Sequence, residues 1–274
     1  MVKKTSKALM TIHGFLTDIN DFGRLYQYLG MYDKVVACKV PGHNDKVDFR
    51  KFTVENTLGE VLRCYDELAK EYDQVDVVGF SMGGALASYL CTQRNVHKAI
   101  LVAPANKYIN LNSPLSTLKF YLRFVGDTYT KTIGSIKDRI FNTQKALAPY
   151  VDNTIATSNM ALRKFFPHLN LFTFNTFSNI VKAVNVEIEA HSPIDTPTLV
   201  FWGELDELVP QTSIDYIAKH FVEMQTILYD DVGHMLMLSS RDVDFIRESV
   251  KFLTDGQVDN EIPPRQTGKS TPKK

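Results

Sequence analysis

The chain has 274 residues, of which 31 are basic and 31 acidic, so its formal net charge is zero. That length suits one large α/β domain or two small ones, and 44% apolar with 23% charged residues excludes a wholly disordered chain. The balanced charge leaves no electrostatic footprint for nucleic acid. Three cysteines, Cys38, Cys64 and Cys91, show neither CxxC nor His-pair spacing; they read as free thiols in a reducing compartment, without a disulfide framework or a metal site.

At the N-terminus, Lys3, Lys4 and Lys7 precede the apolar stretch from Ala8 to Ile12. This imitates a signal peptide, but the run is about five residues against the roughly 7–15 of a secretory core. Nowhere does the chain approach the roughly 18 apolar residues of a membrane span. The expectation is a soluble, cytoplasmic protein with no integral membrane segment.

Short apolar runs then alternate with amphipathic segments, the pattern of a parallel sheet joined by crossover helices. Strands are predicted at Ala8–His13, Lys34–Val40, Val75–Phe80, Lys98–Val102, Thr198–Trp202 and Gln225–Tyr229. Several are apolar on both faces, as strands between two helix layers must be. Val54, Leu58, Val61, Leu62, Tyr65, Leu68 and Ala69 share one helical face, with Thr53 placed as the N-cap. Val243, Ile246, Val250 and Leu253 form a similar face behind Ser239 or Ser240.

The alternation is interrupted once. Between Asn106 and Ser192 no strand-like run occurs, and aromatic residues, Phe120, Phe124, Phe141, Phe172, Phe174 and Phe177 among them, fall in helical pieces. Such an insertion is too long for a loop. The expected organisation is a core of residues 1–105 and 193–254 with a helical cap at 106–192; extra helices completing the core are the alternative. The polar, proline-containing residues 255–274 read as a disordered tail. Its Gly268-Lys269-Ser270 is no phosphate loop, because the motif's first glycine would fall on Pro263 and no strand precedes it.

The chemistry concentrates at Gly79-Phe80-Ser81-Met82-Gly83-Gly84, which follows an apolar strand and opens a helix. G-x-S-x-G in a strand–turn–helix setting puts a serine on a sharp turn, with Gly79 and Gly83 relieving the crowding. The helix N-terminus favours negative charge developing there. A serine hydroxyl needs a base and an orienting acid, and on such an elbow they follow in the order acid, then histidine. The next-to-last strand leads into Gly203-Glu204-Leu205-Asp206-Glu207, offering three carboxylates, and the last leads to Gly233-His234.

With His13-Gly14-Phe15, Pro41-Gly42-His43 and the segment from Pro197 to Pro210, these pieces resemble the α/β-hydrolase superfamily, and within it the small carboxylesterases and monoacylglycerol lipase-like enzymes. The resemblance runs from residue 8 to 253. It implies an α/β-hydrolase fold with a mostly parallel sheet of about six strands, helices on both faces and a helical cap. It also implies a catalytic triad of Ser81, Asp206 and His234, leaving Glu204 and Glu207 as solvated carboxylates. The oxyanion-hole amides would belong to Phe15 and Met82, and His13 would order the loop after the first strand, while His97, His168, His191 and His220 read as surface residues. The chain departs from the family in carrying Asn44 where glycine often follows the Pro-Gly-His motif. The activity implied is cofactor-independent, metal-free hydrolysis of a small-molecule ester with an apolar acyl group. Thioesterase, amidase or acyltransferase chemistry on the same triad, or a slow-turnover signalling receptor, are the alternatives. Oligomeric state is not legible.

Overall fold

A computed structural model describes residues 6–43, 47–108, 168, 170–206 and 208–256. The strands are β1 (Lys7–Ile12), β2 (Lys34–Cys38), β3 (Gln74–Phe80), β4 (Ala99–Val102), β5 (Thr198–Gly203) and β6 (Met224–Tyr229). The helices are α1 (Val54–Glu71), α2 (Met82–Gln93), α3 (Leu171–His191), α4 (Gln211–His220) and α5 (Asp242–Leu253). The six strands form one sheet in the order β2-β1-β3-β4-β5-β6, with every pairing parallel. All six lie within two residues of the ends predicted from sequence.

Burial explains their composition. Strands β4 and β5 are buried along their whole length and β3 along nearly all of it, so both faces must be apolar. The edge strands β2 and β6 keep partly exposed residues. Strand order then dictates the layers. The step from β1 to β2 runs one way across the sheet and every later step runs the other. Because parallel crossovers are right-handed, the reversal puts α1 to α4 on one face and the Ile19–Tyr28 3₁₀ segment on the opposite face. In keeping with this, α1, α2 and α3 pack together, while α5 packs against the Ile19–Tyr28 and Leu236–Leu238 segments.

Helix α1 starts where expected, with Thr53 Oγ1 accepting the Asn56 N–H at 3.1 Å. Its buried face centres on Val61, Cys64, Tyr65 and Leu68, and Ala69 is exposed. Helix α5 differs from expectation. Its N-cap is Arg241, without a side-chain cap; the Leu236–Leu238 turn intervenes, and Ser239 Oγ accepts the Arg241 N–H one turn earlier.

Helix α3 lies in the segment assigned to the cap. Asn170 and Thr173 close a reciprocal capping box at its start. Phe177, Ile180, Val181, Val184 and Ile188 make a buried stripe of helical period. Asn106 and Asn185 exchange hydrogen bonds of 3.0 and 2.9 Å that tie this helix to the chain leaving β4. The earlier cap aromatics, Phe120, Phe124 and Phe141 among them, and the tail from 257 onward lie outside the described residues. Among the described residues no helix is long and apolar enough to cross a membrane.

Candidate active site

The reversal of strand order opens a crevice at the C-terminal ends of β1 and β3, the place where open α/β sheets bind ligands. These two strands are neighbours, with Ile12 opposite Gly79. Strand β3 ends at Phe80, and the Ser81 N–H extends the ladder by one bond to Val102 O at 2.9 Å. Ser81 then takes φ 54° and ψ −118°. A non-glycine residue holds such a conformation only when its surroundings over-determine it.

The flanking glycines supply that constraint. A Cβ on Gly79 would stand 2.1 Å from Gly83 O, and one on Gly83 would stand 2.0 Å from Ile12 O. Any side chain at either position would push α2 off the sheet. Gly14 permits a third approach, since a Cβ there would lie 3.2 Å from Ser81 Cβ. The loop after β1 therefore passes directly beside the serine.

Ser81 is the N-cap residue of α2, yet its hydroxyl makes no capping bond. A capping serine would normally accept an N–H from the first turn. Here Oγ turns to His234 Nε2 at 3.0 Å, and the Met82 N–H donates to no acceptor among the described residues. The Phe15 N–H is unpaired in the same sense.

His234 Nδ1 lies 2.7 Å from Asp206 Oδ2. The other carboxylate oxygen, Oδ1, accepts the N–H groups of Leu208 and Val209, both at 2.9 Å. A carboxylate engaged this way is a pure acceptor, so Nδ1 carries the ring proton and Nε2 offers its lone pair to the serine. The Asp206 side chain is fully buried. Phe80 packs on the His234 ring at 5.0 Å between centroids. Gly203 brings the acid and the histidine together: a Cβ there would meet Val232 O at 2.2 Å, so the loops after β5 and β6 touch backbone to backbone.

Of the competing carboxylates, Glu204 is exposed and Glu207 lies outside the described residues. His13 is buried and bridges its own loop to the next: Nδ1 donates to Gly14 O at 2.9 Å and Nε2 accepts the Val40 N–H at 3.1 Å. Burial lowers its pKa to about 4, partly opposed by the Gly14 bond. Two histidines read as surface residues are more enclosed than sequence implies. His97 Nδ1 bonds the buried Asp76 at 2.7 Å, and His220 is buried with its ring on Tyr216. Sequence reasoning missed the structural demand on Gly14 and Gly203; a glycine directly after a strand that leads to a functional loop was the available signal.

Phe15, directly after Gly14, belongs to a set of stacked aromatic rings. Phe15 stacks on Phe52 at 5.6 Å and on Phe177 at 5.0 Å. Tyr108 packs on Phe177 at 4.6 Å and on Phe174 at 6.1 Å. Phe15, Tyr108 and Phe174 are only partly buried. Phe172, on the other side of α3, is 60% exposed.

A family model for the alpha/beta hydrolase fold matches residues 39–240. The chain belongs to the alpha/beta hydrolase fold family. Among curated proteins it is 26% identical to "Putative esterase/lipase 2" of Mycoplasma pneumoniae, over 81% of this chain and 80% of that one. It is 24% identical to "Lipase 1" of Psychrobacter immobilis, over 85% of this chain and 73% of that protein. Among solved structures, the enol-lactonase of Burkholderia xenovorans LB400 superposes with a TM-score of 0.66 at 17% identity, covering 93% of this chain and 94% of its own. At that identity the likeness is one of alpha/beta hydrolase fold alone. Among the described residues no cluster of potential ligands could hold a metal ion.

Proposed function

We propose that this alpha/beta hydrolase is a serine esterase that cleaves carboxylic esters with apolar acyl groups. The observation that carries the reading is the continuous relay from Asp206 through His234 to Ser81, at 2.7 and 3.0 Å. Three residues distant in sequence meet at the ends of β3, β5 and β6 in the order of contacts that activates a hydroxyl. The names of the relatives from Mycoplasma pneumoniae and Psychrobacter immobilis support ester cleavage.

Ser81 Oγ attacks the ester carbonyl carbon while His234 Nε2 takes the hydroxyl proton. Asp206 holds the ring in that tautomer and stabilises the imidazolium. The tetrahedral oxyanion is received by the N–H groups of Phe15 and Met82, which are unpaired among the described residues. Collapse of the intermediate breaks the bond to the alcohol, which leaves with the proton from His234. Water then repeats the sequence on the acyl-enzyme, releasing the acid and free Ser81.

The partly exposed rings of Phe15, Tyr108 and Phe174 favour an alkyl acyl chain, which sheds water against them. Helix α3 packs with α1 and α2 in the helix layer on one face of the sheet, and residues 109–167 of the segment read as a cap lie outside the described residues. Three buried free thiols suit the cytoplasm.

The test pairs a fluorophosphonate probe with nitrophenyl esters. Wild-type protein should turn over the esters and label at Ser81, and Ser81→Ala should lose both. Labelling or turnover that survives in Ser81→Ala refutes the assignment.

A further inference from the structure

The loop after β1 contains a backbone conformation that it cannot hold alone. Leu16 has φ 56°, in the left-handed region, which costs a branched, non-glycine residue on the order of 1 kcal/mol or more. Phe15 precedes it, and the Phe15 N–H is the proposed oxyanion donor. The Gly14–Phe15 peptide plane carries that donor, and anchoring the Phe15–Leu16 plane limits how far it can turn about the Phe15 Cα.

Each plane is held by a different histidine. The carbonyl of the Gly14–Phe15 peptide accepts from His13 Nδ1 at 2.9 Å. Because the peptide is trans, this turns its N–H the opposite way. The next peptide, Phe15–Leu16, donates its N–H to His43 Nε2 at 3.1 Å. The arrangement is crosswise. His13, on the first loop, accepts the Val40 N–H of the second at 3.1 Å; His43, on the second loop, accepts the Leu16 N–H of the first.

The His43 ring is itself firmly seated. It is 3% exposed, its Nδ1 faces Pro41 O at 3.2 Å, and Phe49 and Phe52 meet it edge-on at 4.8 and 5.1 Å. One neutral tautomer satisfies both polar contacts, with Nδ1–H donating to Pro41 O and a bare Nε2 accepting from Leu16.

We infer that His43 is a positioning residue of the hydrolytic site, holding the Phe15 N–H at the oxyanion through the Leu16 amide. The inference rests on the esterase reading, with Phe15 as an oxyanion donor. An oxyanion donor must sit within about 2.7–3.1 Å of the oxygen as it becomes charged, and losing such a donor costs about 10²–10³ in kcat. Releasing its brace forfeits part of that. The loss should appear in kcat and hardly in KM, because the donor acts on the transition state. Simple loss of structure would instead reduce the fraction of active protein and the melting temperature.

Two experiments decide it. The first measures nitrophenyl butyrate kinetics, per titrated active site, for His43→Phe, which keeps an aromatic ring without an acceptor, and His43→Gln, whose amide oxygen can reach the place of Nε2. The expected result is a tenfold to hundredfold fall in kcat for His43→Phe, with KM within threefold of wild type, and recovery to within threefold in kcat for His43→Gln. Wild-type kcat in His43→Phe, or equal losses in both variants, would overturn the proposal. The second needs no turnover and stands if His43→Phe fails to fold. In ¹⁵N-labelled wild-type protein, a through-hydrogen-bond coupling should link the Leu16 amide nitrogen to His43 Nε2. Its absence, with a solvent-exchanging Leu16 amide, overturns the brace even if the protein proves to be an esterase. Ester turnover that survives Ser81→Ala sinks the esterase reading while leaving that coupling unaffected.

Discussion

Replacing Asp206 with asparagine separates the charge of the acid from its shape. An asparagine can keep Oδ1 on the Leu208 and Val209 N–H groups, both 2.9 Å away in wild type. Its NH₂ then faces His234 Nδ1, where a carboxylate oxygen stood at 2.7 Å. Two donors cannot face each other, so the imidazole proton must move to Nε2, and the ring then confronts Ser81 with a proton instead of a lone pair. The charge interaction is lost as well. Two unit charges about 4 Å apart at an effective dielectric of about 20 interact by about 4 kcal/mol, close to three powers of ten in rate. The tautomer penalty adds to this, and the corresponding change in a serine protease triad costs about 10⁴-fold. We expect Asp206→Asn to lose 10³- to 10⁴-fold in kcat/KM for nitrophenyl butyrate, with a melting temperature within a few degrees of wild type. Glu204→Gln, at an exposed position, should stay within twofold. An Asp206→Asn enzyme retaining more than a tenth of wild-type activity would refute the relay.

Other expectations follow from close approach, titration and the aromatic wall. Gly203→Ala puts a Cβ 2.2 Å from Val232 O, so the His234 loop must retreat; activity should drop at least tenfold and the melting temperature should fall, and wild-type values for both would contradict the backbone contact. Burial lowers the His13 pKa from 6.5 to about 4, so the unfolded chain binds the extra proton first, and stability is lost as pH falls through that window. Asp21 is the reverse: burial raises its pKa from 3.8 to about 8, so its contribution is present at low pH and is lost as pH rises toward 8. Asp21→Asn should therefore show a shallower fall of the urea midpoint between pH 5 and 9 than wild type, and parallel profiles would argue against a buried neutral carboxyl. With each buried methylene worth about 0.8 kcal/mol, kcat/KM should rise more than tenfold from acetyl to hexanoyl esters, and Phe177→Ala should flatten the series; a preference for acetyl or charged acyl groups would show that the rings serve packing alone.

The sheet and the elbow were legible because their causes are local. A strand sandwiched between helix layers must be apolar on both faces, and β3, β4 and β5 are written that way in short windows of sequence. A serine between glycines after such a strand has few backbone options, so Gly79, Ser81 and Gly83 betray the turn by themselves. The loops after β5 and β6 carry Asp206 and His234 at positions that strand order makes neighbours. The cap of α5 was less legible, because the Leu236–Leu238 turn displaces Ser239 from the helix start.

What the sequence determined by itself, then, is the six strands, their succession along the chain and the serine elbow, all of them functions of local pattern; Asp206 was singled out among three carboxylates by the family resemblance. Only the tertiary structure decided which distant backbones touch: Gly203 against Val232, Gly14 beside Ser81, and the crossed pair of His13 and His43. Those contacts depend on the reversal of strand order at β1 and on the height at which each loop leaves the sheet, quantities that arise only once all six strands are in register. The same holds for the rings around Phe15, where Phe52 and Phe177 arrive from segments far apart in the sequence. A side chain's identity reports what it can pack against, whereas its partner is selected by the fold.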